Sequence, residues 1–457
     1  MITPPDLSRV PDRVRYDAQL GTFSGTMLVV GGIIGSGIFL SPAVVAQRVG
    51  TASLTLGAWG VGAVIAILGG LIYAELGARR PFAGGTYVYL REAWGPLPAF
   101  LYGWALFLIM ATGAIAAVAM TGSSYLATML GLGAEATKPL AFALIVILTV
   151  VNALGVRIGA TTGNVLTVLK LAAIGVLVVA ACTLAPSHQL PPVTHTVPLR
   201  IPQGGLAVTL AMGAALVPVL FSFGGWQQTN AVAEELINPE RTLPHSLIFG
   251  VLLVAATYLS VNVAYLRALG VEGLANSQAP AADTMFVYLG AAGRTLITFG
   301  IVTSTIGFLS MVILMSARVY QTMAADGLFF ASMATLNSRT RTPVAALFAQ
   351  GAVALILLLT GTFGQLLDYV VFADWIFFGA TAASLFALRT ADMATGRRPK
   401  TTVPFHPVST LTFIAAAFYV VIGSVTSNPG NAARGAGLIA LGFPVYAFWK
   451  RRASTGA

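Results

Sequence analysis

The most constraining feature of this chain is a succession of long, uninterrupted apolar runs. A helix needs about 20 apolar residues to cross about 30 Å of hydrocarbon. Twelve such runs are legible, at roughly 20–46, 54–77, 95–130, 139–155, 161–184, 205–236, 244–267, 284–322, 343–360, 363–388, 408–425 and 432–450. They are continuous rather than alternating, which excludes the strands of a membrane barrel. The third, sixth and eighth exceed one upright span, so tilting or extension past the bilayer is expected. The fold class that follows is an all-α polytopic membrane protein with twelve transmembrane helices.

Composition closes the soluble alternatives. Only 9% of the 457 residues are charged and mean hydropathy is +0.84. A soluble surface needs roughly 25% charged residues. The formal charge is +10, but the cations lie in short loops between apolar runs and form no basic stripe, so no nucleic-acid partner is expected. The one cysteine, Cys182, sits in an apolar run and reads as a small hydrophobe. The polar stretch 1–19, with Arg9, Arg13 and Arg15 against Asp6, Asp12 and Asp17, reads as a tail before the first span, not a signal peptide.

Loop charge sets orientation. With the N-terminus inside, 18 cations fall on inner segments, among them Arg79, Arg80, Arg157, Arg241, Arg318, Arg389, Arg398 and Arg452. The outer segments hold 6: Arg48, Lys138, Arg200, Arg267, Arg294 and Arg434. This split agrees with an even span count and predicts both termini in the cytoplasm. The loop 185–203, rich in Pro and carrying His188 and His195, falls outside; two histidines without an acidic partner read as linker, not metal site.

Two mid-span segments cannot be plain helices. The first is Gly31-Gly32-Ile33-Ile34-Gly35-Ser36-Gly37-Ile38-Phe39, and the second is Phe221-Ser222-Phe223-Gly224-Gly225-Trp226. Each glycine costs about 1 kcal/mol in a helix relative to alanine. In lipid the freed backbone groups need partners, so such a break survives only against protein or a cavity. Dividing the spans five, five and two puts each break in the first helix of a five-span half, as expected for a transporter site between inverted repeats. Small-residue packing accounts for Gly31 and Gly35 but not for Gly32, Gly37 and Ser36. The domain boundaries are then a tail at 1–19, a first repeat at 20–184, a loop at 185–203, a second repeat at 204–388, two further helices at 389–450 and a tail at 451–457. A broken helix presents free N–H groups at its second half and free carbonyls at the end of its first. Gly35, Ser36 and Gly37 suit a carboxylate. The carbonyls near Gly32 and Ile33, with those from Phe221 to Gly224, suit an ammonium. Together they match the backbone of an α-amino acid.

At these residues the chain resembles the L-type amino acid transporter family of the amino acid–polyamine–organocation superfamily. The motifs are Gly32 to Phe39 with Ser41-Pro42, Tyr73-Ala74-Glu75-Leu76-Gly77, Gly84-Gly85-Thr86-Tyr87, Phe221 to Trp226, Glu234-Glu235-Leu236-Ile237-Asn238-Pro239 with Leu243-Pro244, Ser316-Ala317-Arg318, and Asp326-Gly327. The resemblance spans nearly the whole chain through the tenth run. It implies the LeuT-type inverted repeat of five plus five helices with two more at the end. It implies sodium-independent amino acid exchange. It puts the substrate carboxylate at Ser36 and Gly37 and the amino group at the carbonyls of Ile33, Phe221, Ser222 and Gly224. It makes Phe221 an aromatic gate.

Two ionisable residues lie mid-span. Lys170, in the fifth run, has no interface to reach and needs a partner or a task. In similar transporters a lysine here replaces a sodium ion and links the first helix to the eighth. Carbonyls near Gly32 and hydroxyls of Ser304 or Thr305 are the expected contacts. Asp374, in the tenth run, departs from the neutral amide of the animal members. It reads as a proton carrier, a contact for a polar or cationic side chain, or a hydrogen-bonded structural group. Asp368 reads as interfacial. Glu75, Glu234 and Glu235 read as partners of arginines such as Arg79 or Arg318. No nucleophile, metal set or phosphate loop stands at useful spacing, so an enzyme is not expected, nor is a cofactor. The expected partners are small amino acids and the bilayer, with no obligatory protein subunit indicated. The side-chain pocket should come from spans three, six, eight and ten, and the small residues around Gly113, Ala114 and Ala116 read equally as a roomy wall or as helix packing. The alternative function is a proton-coupled amino acid or polyamine symporter. A channel is disfavoured because polar residues do not recur along the spans.

Overall fold

Apolar runs this long must satisfy their own backbone in lipid, and helices do so. The computed structural model describes residues 16, 18–190, 199, 201–360, 363–397 and 399–455, with the side chains of 156–160, 363–368 and 452–455 outside the description. The expectations for Arg9, Arg13, Arg15, Asp6, Asp12, Asp17, Arg157, His195, Arg200, Asp368, Arg398 and Arg452 lie outside the described residues or side chains. So do most of the 1–19 tail, residues 191–198 and 200 of the 185–203 loop, and 456–457 with the side chains of 452–455 in the last tail.

The described residues form helices and no β-strand; a single bridge joins Leu20 to Leu236. The helices are α1 (Thr22–Ile33), α2 (Gly37–Val49), α3 (Ala52–Arg79), α4 (Thr86–Trp94), α5 (Pro96–Ala105), α6 (Ala111–Met129), α7 (Thr137–Ala153), α8 (Val156–Thr183), α9 (Gly205–Phe223), α10 (Pro239–Asn276), α11 (Pro280–Ala325), α12 (Val344–Thr360), α13 (Phe363–Thr395), α14 (Val408–Ser427), α15 (Pro429–Ala440) and α16 (Gly442–Thr455).

Among the described residues nine helical spans are long and apolar enough to cross a membrane, and α1 with α2, bent by 42°, make a tenth. The protein is a multi-pass membrane protein. The other two expected spans fall short of that length: α12 has 17 residues, and the last run divides into α15 and α16. The three overlong runs are interrupted rather than merely tilted. The third holds a π-helical turn at Leu106–Met110 between α5 and α6. The sixth breaks at Gly224-Gly225 and continues as a tighter 3₁₀ stretch, Trp226–Glu235. The eighth, α11, is kinked at Gly290 (φ 60°).

Proline adds a second kind of break. Pro42 in α2 and Pro218 in α9 cannot donate to the carbonyls one turn back, those of Ile38 and Ala214. Both carbonyls find donors elsewhere. Tyr265 Oη donates to Ile38 O at 3.3 Å, and the Arg48 guanidinium donates to Ala214 O. The first and sixth spans are thus irregular both at their glycine breaks and at their prolines, and protein side chains repair them.

Candidate functional site at two interlocked helix breaks

The two breaks touch. Gly225 lies so close to the first break that a Cβ on it would sit 2.0 Å from the carbonyl oxygen of Gly32. Its φ of +117° also lies where only glycine is comfortable. A Cβ on Gly37 would sit 2.5 Å from Ser222 Oγ. Tyr258 of α10 clamps the pair, its hydroxyl donating to Ser222 O at 2.9 Å and Ile33 O at 3.3 Å.

Between the breaks lies a cavity of about 40 Å³, and Ile33, Gly35, Ser36, Gly37, Phe221, Ser222, Gly224 and Asp374 all line it. The sequence-predicted binding residues therefore share one site. Their backbone groups are not equally free. The Gly35 N–H already donates to Ile33 O at 2.9 Å, and Gly224 N–H donates to Phe221 O at 3.2 Å. The first N–H groups of α2, at Gly37 and Ile38, have no backbone acceptor among the described residues. The Ser36 hydroxyl, fully buried beside them, has no partner either. The carboxylate-binding end is thus Ser36 and the start of α2.

The remaining wall comes from spans three, six, eight and ten: Met110 and Ala114, Gln227 and Gln228, Phe308, and Val370. Of the three small residues expected on span three, Ala114 lines the cavity, whereas Gly113 and Ala116 are buried elsewhere in the packing. Sequence reasoning missed Gln227, Gln228 and Phe308. The glutamines follow directly on the second break, a signal that was available. Phe308 becomes visible only in three dimensions, where its ring seals the Cβ position of Gly35 at 3.0 Å. The π-helical turn at Leu106–Met110 turns Leu106 and Met110 toward the cavity, a frequent use of such turns.

Lys170 is fully buried and saturated. Its Nζ donates to the carbonyls of Ile34 at 2.6 Å, Ser304 at 3.2 Å and Gly31 at 3.4 Å. The expected reach to the first break and to α11 is therefore present, but through carbonyls. The Ser304 hydroxyl donates to the same Ile34 O at 3.2 Å. Thr305 is not a partner: its hydroxyl turns back to Ile301 O and Val302 O of its own helix.

One end of the bundle is closed by ion pairs. Glu75 accepts from Arg79 at 2.6 Å and Arg389 at 2.5 Å, and Val403 N donates to it. Asp392 bridges Arg79 and Arg80, Arg80 reaches Glu92, Arg91 pairs with Asp326, and Arg318 pairs with Glu235 at 2.9 Å. Glu234 accepts from Ala83 N. Glu75 and Glu235 pair with arginines as expected, whereas Glu234 takes a main-chain N–H in place of an arginine. At the opposite end a wider cavity, about 590 Å³, opens between Leu40, Tyr125, Thr128, Asp283 and Arg294. Among the described residues no group of three His, Cys, Asp or Glu could hold a metal ion.

An amino acid permease family model matches residues 20–446. The chain belongs to the amino acid permease family. Among curated relatives it is 32% identical to the rabbit (Oryctolagus cuniculus) b(0,+)-type amino acid transporter 1 over 83% of this chain and 77% of that one. It is 29% identical to the serine/threonine exchanger SteT of Bacillus subtilis over 95% and 97%. It is 31% identical to the mouse (Mus musculus) Asc-type amino acid transporter 1 over 96% and 83%. This permease is accordingly a membrane transporter and not an enzyme, and amino acid transport is the activity these relatives support.

Proposed function

We propose that this permease exchanges small neutral L-amino acids across the plasma membrane, without sodium, by alternating access at the two helix breaks. The carrying observation is the interlocked pair of breaks around one cavity, with free N–H groups and the Ser36 hydroxyl at one end and main-chain carbonyls at the other. A helix N-terminus stabilises a carboxylate, and carbonyls stabilise an ammonium. Substrate carboxylate at Ser36 and Gly37, beside Gly35, and substrate amine at the carbonyls of Ile33, Phe221, Ser222 and Gly224 follow. Half-buried Phe221, on the cavity wall, is the gate.

Sodium independence rests on Lys170. Its ammonium already occupies the carbonyls between the first break and α11, where a free monovalent cation would otherwise bind. The five-plus-five arrangement of 20–184 and 204–388, with twelve spans, is supported by the matching breaks. The cation excess supports placing the ion-pair end, with both termini, in the cytoplasm. One relative is a serine/threonine exchanger by name, and a cavity of about 40 Å³ holds only about three waters, room for a small amino acid. We place no obligatory second subunit in this reading.

The test is uptake of radiolabelled L-alanine, L-serine and L-leucine into proteoliposomes preloaded with the same amino acid, with and without sodium. Saturable uptake that needs internal substrate and ignores sodium is expected. Transport that requires sodium, or no exchange of any of the three, refutes the reading.

A further inference from the structure

The substrate's carboxylate and ammonium account for Ser36, the start of α2 and the carbonyls of both breaks, so its side chain faces the rest of the cavity wall. That remainder is apolar at Met110, Ala114 and Phe308 and polar at Gln227, Gln228 and Asp374. The three polar residues differ in what they already hold. Gln227 is engaged: its Oε1 accepts from Gly225 N–H at 3.0 Å within the second break. Asp374, on α13, is half-buried. Gln228 is tied to the second break by its main chain, its N–H donating to Gly225 O at 3.2 Å. Its side-chain Oε1 is nevertheless buried with no hydrogen-bond partner among the described residues.

That opening belongs to the cavity and not to the helix packing. Gln228, Thr229 and Asn230 each carry a buried oxygen without a partner among the described residues. Consecutive side chains of a 3₁₀ stretch point about 120° apart, with three residues per turn. Of the three, Gln228 lines the cavity, whereas Thr229 and Asn230 do not. The Asn230 amide turns away, to Tyr73 O at 3.0 Å and Tyr89 Oη at 2.8 Å.

A buried amide oxygen left bare is costly, and folded proteins rarely leave one so. The missing partner is a donor that arrives with the substrate. A cavity of about 40 Å³ takes only a short side chain beside the backbone groups. Short neutral side chains end in hydrogen, methyl, thiol or hydroxyl, and of these the hydroxyl is the strong donor. It also accepts, so it satisfies the Gln228 amide whichever way the broad terminal torsion turns it.

We propose that Gln228 is the specificity-determining residue of this site and that it selects amino acids with a hydroxyl on the first side-chain carbon, the serine and threonine class. The side-chain carbon lies against Met110, Ala114 and Phe308, and its hydroxyl meets the Gln228 amide. Selection acts twice. An analogue of the same shape without the hydroxyl loses the bond and also leaves the buried amide unpaired, which is how a polar site rejects an apolar isostere. This deepens the transport reading above and rests on it for the placement of the backbone groups.

The experiment uses the full chain, purified in detergent for competition against radiolabelled L-serine and reconstituted in vesicles loaded with L-serine for exchange. L-2-aminobutyrate has the shape of L-serine with a methyl group in place of the hydroxyl. In the wild type it is expected to compete about tenfold more weakly than L-serine, which corresponds to about 1.4 kcal/mol. In Gln228→Met that ratio falls to about one, with exchange of L-2-aminobutyrate retained. Gln228→Asn, which draws the amide back by one carbon, lowers the preference too and serves where Gln228→Met does not fold. Thr229→Val, one residue on and off the cavity, leaves the ratio as it is. Equal competition in the wild type overturns the proposal. So does a preference that survives Gln228→Met, or one lost in Asp374→Leu alone, which would hand the hydroxyl to Asp374. Vesicles that exchange both amino acids without preference refute this proposal and leave the transport reading intact. No exchange, with binding still serine-selective, refutes the transport reading and leaves selection by Gln228 intact.

Discussion

The two helix breaks look alike in sequence, glycine pairs beside small and aromatic residues, yet they are held in different ways. The first is strapped from outside. Lys170 of α8 binds the carbonyls of Gly31 and Ile34 and joins them to Ser304 of α11, whose hydroxyl adds a bond to Ile34 O. The second is held by its own turn. Gly224 N–H bonds to Phe221 O, and Gly225 N–H bonds to the Gln227 side chain at 3.0 Å. Tyr258 and the close Gly32–Gly225 and Gly37–Ser222 contacts tie one break to the other. The first break is thereby coupled to elements across the bundle, while the second follows the first. For a transporter whose site must change its access, that asymmetry names the first break as the place where movement of α8 and α11 is felt.

The strongest way to break this arrangement is at the contact itself. Gly225→Ala puts a methyl 2.0 Å from Gly32 O at a φ of +117°. Such a backbone conformation alone costs about 1–3 kcal/mol for a non-glycine residue. We expect no monodisperse protein on size-exclusion chromatography. Gly32→Ala is the counterpart, because its Cβ meets Gly225 O at an ordinary 3.4 Å, and it should purify normally. Equal behaviour of the two variants would dissolve the interlock.

Next in size is the strap. Lys170→Ala leaves the carbonyls of Gly31, Ile34 and Ser304 without their charged donor in a buried site. Ile34 O keeps the Ser304 hydroxyl, and a buried carbonyl left without any donor costs about 1–3 kcal/mol. Exchange should fall at least about a hundredfold at matched reconstituted protein, which corresponds to about 2.8 kcal/mol. Wild-type exchange at normal expression would sink the coupling role.

How much of this was legible beforehand follows from the kind of residue involved. The breaks were legible because glycine pairs in a lipid span contradict helix propensity, and only a site or close contact tolerates them. Lys170 was legible because a mid-span cation is rare. Its partners were half legible: α11 was expected, but through the hydroxyls of Ser304 and Thr305. A charged ammonium instead takes carbonyls, which carry two lone pairs, and threonine in a helix bonds back to its own turn. The kink at Gly290 was hidden because an isolated glycine inside a long apolar run does not by itself mark a break. The run lengths misled for the same reason, reading as tilt where the backbone turns. Phe308 was not legible, since its place depends on which faces meet across spans far apart in the chain.

Tyr258 tests whether the breaks move as one. Tyr258→Phe removes bonds of 2.9 Å to Ser222 O and 3.3 Å to Ile33 O but keeps the ring, which packs edge-on against Trp59. Ile33 O still accepts from Gly35 N–H, so the loss is chiefly at the second break. We expect a thermal-stability loss of about 1–2 kcal/mol and a raised KM, with the protein still folded. A change in maximal rate as large as that of Lys170→Ala would mean that the second break, too, is strapped from outside.

The smallest effect separates the strap from its reinforcement. Ser304→Ala deletes the hydroxyl that donates to Ile34 O at 3.2 Å, while Lys170 Nζ still donates to that oxygen at 2.6 Å and to the Ser304 main-chain carbonyl at 3.2 Å. No acceptor is left bare, and the new methyl group fills the place of the old side chain. The cost is one net hydrogen bond between neutral groups, about 0.5–1.5 kcal/mol, read as a fewfold change in exchange rate. If Ser304→Ala were as damaging as Lys170→Ala, the hydroxyl rather than the ammonium would be the link between the first break and α11. If Lys170→Ala alone is severe, the link is the charge held on main-chain carbonyls, which the serine side chain only supports.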